Sequence, residues 1–462
     1  MIWNGNFNMK NSDCLKGIEI SNEYEDLICY GFDASIADSG LPWGVAWPKS
    51  ADEVSRIVAY ASDQGLRIVP RGAGTGMAGA SVPHLADSII LSFEKMRKVI
   101  EINPDNMTVT LEPGMINSRL QRELQRLDLF YPPDPASLSI CTLGGNVATN
   151  AGGPCAVKYG VTRDYVLELE AVLPDGSIVT LGGKTYKRVV GYDLKQLLIG
   201  AEGTLAAITK ITMKVLPLPE DVITLLVQFN DLSAAGEAVS KIISAKVIPR
   251  TMEFIDGSAI KALEQYKPTG LPSGTAALLL VELDGHPATI QKEAEKVVQV
   301  CRALGGETAV AGDKAARDKL WEARRAISPA LYHLKPFKIN EDIVVPRDQI
   351  AATLTSLRAL SLENDIPIVC FGHAGDGNIH VNIMVDNADK EEYARGLGLI
   401  KKIFELVLSL GGSLSGEHGI GIAKLPYIDM EIKEREMRLM KDVKRLIDPK
   451  NIMNPGKIFG AC

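Results

Sequence analysis

Six histidines occur in 462 residues, and three of them fall in two short glycine-rich stretches. His373 and His380 lie in FGHAGDGNIHVNIM (371–384), and His418 lies beside Glu417 in GGSLSGEHGIG (411–421). IPIVCFGH reads as a strand ending at His373, and the Asp-Gly of AGDGN is a hairpin-turn signal. IHVNIMV is the return strand. Closing that turn makes the two histidines near-neighbours, because opposed side chains of a hairpin sit about 4.5–5.5 Å apart at Cβ. Two imidazoles so placed can share one cation, each at roughly 2 Å. Asp376 and Asn378 read as shaping residues of an Asx turn, not as ligands. A local hydrogen bond at a strand end is the competing reading for either ring alone. Two rings framing one turn, with a third next to a carboxylate, favour a site. Glu417 and His418 are adjacent in a segment read as extended, so they point to opposite sides. One can then bind metal while the other faces a substrate. Two histidines and a carboxylate with open positions suit Zn²⁺, Mn²⁺ or Fe²⁺.

An anionic substrate needs a cation. DKLWEARRAISPALYHLKPFK (318–338) offers Arg324, Arg325, Lys335 and Lys338. An arginine fork matches a carboxylate bidentately, and Trp321 and Arg324 at i, i+3 share one face of a helix. A solvated basic helix face is the equal competitor for any one of these residues.

The elements that must position these groups have their own signals. GVAWPKSADEVSRIVAYASDQGLRIVPRG reads as strand, helix, strand. Ser50 and Glu53 form a capping box, Val54, Ile57, Val58 and Ala61 form one helical stripe, and Gly65 is the stop. SIILSF, TVTLEPG and VLELEAVLPDGSIVTLGG read as strands with turn punctuation. After KVLPLPE, near residue 219, the texture changes. ITLLVQF, TMEFID, ALLLVEL, ETAV, DIVVP, IPIVCF, IHVNIMV and SLSGEHG read as strands. Helices such as ATIQKEAEKVVQVCRAL and EEYARGLGLIKKIFELVLSL separate most of them. That alternation predicts an α/β sandwich with a repeated β-α-β unit. The tail, EREMRLMKDVKRLIDPKNIMNPGKIF, reads as one helix and a proline-broken segment.

PRGAGTGMAGASVP (70–83) has the Gly74-x-Gly76-x-x-Gly79 spacing of a dinucleotide fingerprint, with Glu94 about 20 residues beyond Gly74. Pro83 leaves little room for the long helix that fingerprint must open. The loop is better read as a backbone nest, in which Gly72, Gly74, Gly76 and Gly79 let successive N–H groups converge on a diphosphate. Arg71 and Thr75 add side-chain donors. A second cluster, PPDPASLSICTLGGNVATNAGGPCAVKYG (132–160), can lie against a flat ring or form an ordered surface loop. A third, GYDLKQLLIGAEGTLAAITKITMKV (191–215), leads through Gly200 and Gly203 into an apolar strand.

These motifs, in this order and spacing, resemble the vanillyl-alcohol oxidase and p-cresol methylhydroxylase family of FAD-binding flavoproteins. FGHAGDGNIHVN, SGEHGIG and NPGKI extend the resemblance to the C-terminus. The branch it is most similar to holds the glycolate oxidase flavin subunit and the D-lactate and D-2-hydroxyglutarate dehydrogenases. The resemblance implies an α+β fold. An N-terminal extension with a helix (1–39) precedes a two-subdomain FAD-binding domain of the p-cresol methylhydroxylase type (40–218). An α/β-sandwich substrate cap with ferredoxin-like repeats (219–420) and a C-terminal helical segment returning to the flavin (421–462) complete it. It implies non-covalent FAD, with Arg71, Gly72, Ala73, Gly74, Thr75, Gly76, Met77 and Gly79 around the pyrophosphate. Pro133, Asp134, Thr142, Gly145, Thr149 and Ala151 fall to the ribityl and ring portions, and Glu202, Gly203 and Ile208 to the adenine or ring side. Asn454 reaches the flavin from the tail. It makes His373, His380 and Glu417 the ligands of a divalent metal (Zn, Mn or Fe), His418 the base, and Arg324, with Lys338, the carboxylate-binding cations. Two positions depart from the pattern: Ala206 stands where glycine is usual, and Cys155 where arginine is usual.

The implied activity is oxidation of a D-2-hydroxy acid to the 2-oxo acid, a class that includes D-lactate, glycolate and D-2-hydroxyglutarate. Electrons then pass to a separate acceptor such as an iron–sulfur subunit, an electron-transfer flavoprotein or a quinone. The rivals are a flavin-free metal hydrolase using the His/His/Glu set, a nicotinamide dehydrogenase using Gly74–Gly79, and an electron-relay subunit without catalysis of its own. The totals agree with an enzyme of this kind. The formal charge is −7 with no basic run, which argues against a nucleic-acid partner. Seven dispersed cysteines without a Cys-x-x-Cys predict reduced thiols, a cytoplasmic setting and no four-cysteine cluster. The N-terminus lacks the pattern of a signal peptide, and no stretch is apolar enough to cross a membrane. Any membrane contact is expected to be peripheral, at the inner face and through a partner. A homodimer is compatible with these features.

Overall fold

The computed structural model describes residues 12–37, 40–272 and 274–460. The expectation for the first residues, and part of the N-terminal extension, lie outside this set. The architecture is α+β, as expected. A four-stranded sheet has the order Glu19–Ser21, Gly44–Trp47, Ser88–Ser92, Arg67–Arg71, its last three strands parallel. The helix Ala51–Gln64 buries Val54, Ile57, Val58 and Ala61, the stripe read from the sequence. Ser50 Oγ caps it by accepting from the Glu53 amide at 3.2 Å. The reciprocal bond of the capping box shifts by one residue, because Glu53 Oε2 takes the Lys49 amide at 2.8 Å. Gly65 ends the helix at φ 70°, a conformation suited to glycine.

A five-stranded antiparallel sheet follows, in the order Val99–Asn103, Thr108–Leu111, Ala207–Lys214, Val166–Val172, Ile178–Gly182. Part of the second glycine cluster is a helix, Leu143–Thr149. Thr142 caps it, and Asn150 closes it in the left-handed conformation.

The C-terminal half is built on a seven-stranded antiparallel sheet. Its order is Glu307–Val310, Asp221–Phe229, Ala277–Gly285, Thr251–Asp256, Ile368–His373, Asn378–Val385, Phe337–Val344. In the first unit the chain places its strands 4-1-3-2, the ferredoxin-like order, with helices Leu232–Ser244 and Pro287–Ala303 as crossovers. The second unit begins the same way, with Ile350–Asn364 and Lys390–Ser409 as its helices. Its fourth strand, expected in SLSGEHG, does not form. Only Ser413 bridges to Val344, after which the chain bends around a buried carboxylate.

Strand alternation sorts the two faces of this sheet. One face carries Leu225, Val227, Phe254, Leu279, Val281, Ile339 and Ile383 into the main core, against the four crossover helices. On the other face, Ile255, Leu278, Val369, Phe371 and Met384 pack under Gly257–Tyr266 and Lys314–Ala330. Toward one end that second face turns polar, with buried Glu253, Glu282, Asp284, Asp342, His373 and His380. This end is turned to the N-terminal half: Lys158 Nζ and Tyr159 OH donate to Asp284 Oδ1 and Oδ2 at 2.5 and 2.8 Å.

Candidate functional site

The glycine loop 70–83 follows the strand Arg67–Arg71, and the chain's tail fixes it. Met453 bridges to Ile68. Every carbonyl from Ala78 to Pro83 is engaged. Ala78 O accepts from the Ile422 and Ala423 amides, and Pro83 O from the Gly40 amide. Lys457 Nζ donates to Gly79 O at 2.7 Å and to Val82 O at 2.6 Å. Asn454 Nδ2 donates to Ala80 O at 2.8 Å, and Arg71 Nη1 to Ser81 O at 3.3 Å. In contrast, no backbone N–H from Gly72 to Gly79 meets a protein acceptor among the described residues. Saturated carbonyls and free amides leave an electropositive concavity, the chemistry a diphosphate requires. Gly72 is needed for close approach, since a Cβ there would run into Thr142 Oγ1. No helix follows Gly79, so the nicotinamide fingerprint fails on structure as it did on sequence.

The cleft in front of this loop holds about 1350 Å³, its mouth included. Arg71, Gly72, Ala73, Gly74, Thr75, Gly76, Met77, Thr142, Gly145, Thr149, Ala151, Glu202, Gly203 and Ile208 all line it. The remaining nominated residues do not. Pro133 is buried, its carbonyl held by Asn117 Nδ2 at 3.0 Å. Gly79 and Asn454 stand behind the loop as described. Asp134 lines the neighbouring cavity and accepts from the Cys155 amide at 3.0 Å, while burial pushes its carboxyl up to about 6.

The histidines meet across the hairpin, but as diagonal neighbours and not as an opposed pair. Ile368–His373 and Asn378–Val385 pair with Phe371 opposite His380, and the rings of His373 and His380 have centroids 5.2 Å apart. Asp376 Oδ1 takes the Asn378 amide at 3.3 Å, the Asx turn expected. Glu417 Oε1 lies 3.3 Å from His373 Nε2 and 3.7 Å from His380 Nε2. Tetrahedral ligands at about 2.0–2.1 Å from zinc stand about 3.4 Å from one another, so the Glu417 oxygen lies near ligand-to-ligand spacing from each ring nitrogen. His373 Nε2 is buried and makes no hydrogen bond, as a ligand nitrogen awaiting a metal would. Its Nδ1 meets Glu253 Oε1 at 2.6 Å, the carboxylate support typical of metal-ligating histidines. Burial raises the Glu253 carboxyl, but the charges of His373 and Arg324 overcome it and hold it at about 2.

Donor atoms of Asp342, His380, Glu417 and His418 also lie within 4.8 Å of one another. Asp342 is nevertheless a poor ligand, because both of its oxygens are already taken by hydrogen-bond donors. Oδ2 accepts the amides of Gly416, Glu417 and His418 at 2.9, 2.8 and 3.0 Å. Oδ1 accepts Asn378 Nδ2 at 2.6 Å. Asp342 therefore shapes the 415–418 bend. Burial raises its carboxyl, but the neighbouring His418, His380 and Lys424 side chains outweigh that and bring it well below the usual range. On the far side of the bend, Glu202 Oε1 and Oε2 accept the Ile420 and Gly421 amides at 2.7 and 2.8 Å. The SGEHGIG loop thus hangs between two buried carboxylates, one from each half of the chain.

The bend overturns one expectation. Glu417 and His418 do not turn away from each other. Both line the cleft of the glycine loop and also the adjoining cavity between the two halves, of about 1920 Å³ with its mouth included. Three amides converging on one oxygen prevent the extended backbone that would separate them. Burial lowers the His418 pKa, which favours the neutral ring. Arg324 lines the second cavity, but its Nε and Nη2 stand 2.7 and 2.6 Å from Glu253 Oε2. Lys338 is buried and donates to Ser328 Oγ at 2.7 Å; Ser328, not Lys338, reaches the cavity wall. Sequence reasoning missed Asp342, Glu253 and Lys457. For Glu253 a signal existed, a charged residue among apolar neighbours in TMEFID; Asp342 sat in the largely polar KINEDIV and gave none.

An FAD cleft and a histidine–carboxylate cluster sharing two wall residues define a flavin-dependent oxidoreductase. The chain belongs to the FAD-linked oxidase family. The model of the FAD binding domain matches residues 42–182, and that of the C-terminal domain of FAD linked oxidases matches 218–458. It is 42% identical over 435 residues to glycolate oxidase subunit GlcD of Bacillus subtilis, covering 94% of this chain and 92% of the relative. It is 34% identical over 458 residues to the D-lactate dehydrogenase of Anaerostipes hadrus, covering 96% and 94%. Among solved structures, p-cresol methylhydroxylase with substrate bound superposes with a TM-score of 0.80 at 16% identity, covering 95% and 93%. The enzyme is therefore an FAD-linked oxidoreductase of the glycolate oxidase and D-lactate dehydrogenase type. Among the described residues, no helix is long and apolar enough to cross a membrane.

Proposed function

We propose that this chain is an FAD- and divalent-metal-dependent dehydrogenase that oxidises a D-2-hydroxy acid to the 2-oxo acid. One observation carries the reading: Glu417 and His418 line both the flavin cleft and the histidine cavity. A substrate in the second cavity would thus face a ring in the first across these two side chains. The amides of Gly72–Gly79 would hold the FAD diphosphate, and Thr142, Gly145, Thr149 and Ile208 would line the rest. His373, His380 and Glu417 would hold the metal. Bound FAD supplies the electron-accepting ring, and a bound metal supplies a Lewis acid that lowers the pKa of a chelated hydroxyl.

The chain's own residues do the rest. His418 accepts the substrate proton, a general-base role typically worth about 10²–10⁴ in rate. Glu253 fixes the tautomer and direction of the His373 ring. Asp342 and Glu202 hold the base and its neighbouring carboxylate at the junction. Arg324 and Ser328 lie on the wall where a substrate carboxylate would rest, with Lys338 behind. Residues 40–218, 219–420 and 421–462 act in this scheme as flavin domain, substrate cap and returning tail. Electrons leave through a separate acceptor, in keeping with relatives named as a glycolate oxidase subunit, and the setting is the cytoplasm.

The test is an anaerobic titration of the flavin-loaded protein with D- and L-2-hydroxy acids, before and after metal chelation. Bleaching of the flavin by a D-acid, abolished by chelation and restored by Zn²⁺ or Mn²⁺, is expected. Bleaching that survives complete metal removal would overturn the metal's role. No bleaching by any 2-hydroxy acid would overturn the substrate class.

A further inference from the structure

The cap cavity contains a guanidinium that the scheme above does not use. Arg250 stands just before the strand Thr251–Asp256 and lines the cavity with His373, His380, Glu417 and His418. Its Nε lies 3.4 Å from Cys155 Sγ, across the junction between the two halves of the chain. Its Nη1 is 3.7 Å from Asp284 Oδ2, too far for a hydrogen bond. Among the described residues neither terminal nitrogen has a hydrogen-bond partner, and 27% of the side chain stays exposed. Position 155, where the resemblance calls for arginine, holds a small thiol. A cation reaches that place from the opposite wall instead.

The acids around Arg250 do not use up its fork, because each is already partnered. Asp284 is taken by Lys158 and Tyr159 at 2.5 and 2.8 Å. Asp134 is taken by the amide and thiol of Cys155 at 3.0 and 3.2 Å. Glu282 Oε1 accepts from Thr224 Oγ1 and Trp321 Nε1 at 2.7 and 2.8 Å. Glu253 is shared between His373 and Arg324. Arg324 itself is bound up with Glu253 and only 11% exposed. A second, independent feature points the same way. Thr251 lines the cavity next to Arg250, is buried, and its Oγ1 has no partner. A buried hydroxyl left without a bond is costly unless a ligand completes it. A fork whose terminal nitrogens make no hydrogen bond among the described residues, and a hydroxyl without a partner, match the two oxygens of a carboxylate.

We propose that Arg250 and Thr251 receive a second, distal carboxylate of the substrate, so that the site selects 2-hydroxy diacids over glycolate- or lactate-like acids. This rests on the function proposed above. If metal and His418 act on the hydroxyl end, the distal group extends along the strand from Glu253 toward Arg250. Three residues at about 3.3 Å each separate those two positions by roughly 10 Å.

The experiment compares kcat/KM for D-2-hydroxyglutarate and D-malate with that for D-lactate and glycolate, in wild type, Arg250→Met, Arg250→Lys and Thr251→Val. Wild type is expected to prefer a diacid. In Arg250→Met the diacid-to-monoacid ratio should fall about 10²-fold, since a charge-assisted bidentate contact is lost. Arg250→Lys should restore part of the ratio, and Thr251→Val should lower it several-fold. A merely structural Arg250 would depress all four acids together and leave the ratio flat. Glutarate should also perturb the flavin band at lower concentration than butyrate, and this advantage should vanish in the Met variant. Should that variant not fold, Thr251→Val and the glutarate titration carry the test. A flat ratio, or a wild type without diacid preference, overturns this inference while glycolate or lactate oxidation keeps the proposed function standing. No oxidation of any 2-hydroxy acid overturns both.

Discussion

Asp342→Asn tests whether the reacting pair is placed by a single carboxylate. Oδ2 of Asp342 gathers the amides of Gly416, Glu417 and His418 within 3.0 Å, and Oδ1 takes the Asn378 amide. An asparagine keeps only one acceptor. With its oxygen toward the bend, its NH₂ meets the NH₂ of Asn378, donor against donor. Flipped, it presents NH₂ to three backbone amides. Either choice leaves a buried donor unpaired at a cost of about 1–3 kcal/mol. Removing the charge also reduces three bonds from about 1.5–3 kcal/mol each to about 1 kcal/mol. The sum is about 2.5–9 kcal/mol, and it falls on the 415–418 bend, since Glu202 still holds 420–421. A loss of even 3 kcal/mol corresponds to a shift of about 10² in the population of the set bend. The expected outcome is a folded protein that still takes up FAD, binds Zn²⁺ or Mn²⁺ at least 100-fold more weakly, and shows no rapid flavin bleaching by D-2-hydroxy acids. Metal content by elemental analysis, FAD by its visible absorbance and bleaching by stopped flow read the three quantities. A folded Asp342→Asn protein with full metal occupancy and wild-type bleaching would refute the reasoning.

Three further outcomes are expected. His418→Ala should retain FAD and metal but lose bleaching, and rapid bleaching in that variant would remove the assigned base. His380→Ala should lose metal and activity together; full metal occupancy would take it out of the ligand set. Lys457→Met should weaken FAD about tenfold while leaving riboflavin, which lacks phosphate, little changed; equal losses for both ligands would make Lys457 a packing residue only. In the wild type, burial brings Lys457 down to about 8, against the raising influence of Asp33 and Glu202. The two pH consequences have opposite signs. FAD affinity should fall as pH rises through about 8, because the charge that holds the back of the glycine loop is lost. The flavin-free protein should gain stability from about pH 8 up to the ordinary lysine value, because there the unfolded chain binds the extra proton. An affinity flat from pH 7 to 9.5 would contradict the first.

What the sequence disclosed and what it withheld divide along a physical line. The hairpin around Gly377, the helical stripe after Ser50 and the nest of Gly72–Gly79 were legible because each is set by local chemistry: turn residues, 3.6-residue periodicity and glycine content. The strand expected in SLSGEHG failed because its period-2 pattern is overruled from a distance. Asp342, some seventy residues earlier in the chain, takes its amides out of the sheet ladder. The same non-local competition hid the states of Arg324 and Lys338. Both are the right residue type on the right segment, but whether a cation is available to a substrate depends on which carboxylate or hydroxyl the fold places beside it. Glu253 claims the one and Ser328 the other.

The suspension of SGEHGIG also explains why the two halves of the chain must act together. Asp342 lies in the strand Phe337–Val344 and Glu202 lies in the wall of the flavin cleft. The loop between them carries both the proposed base and a proposed ligand. Neither carboxylate alone fixes its position: one sets the bend before His418, and the other sets the chain direction after it. The amides of 416–418 and of 420–421 are held from opposite sides, the first by the cap and the second by the flavin domain. The geometry that joins flavin to substrate is thus a property of the junction, and of neither half by itself.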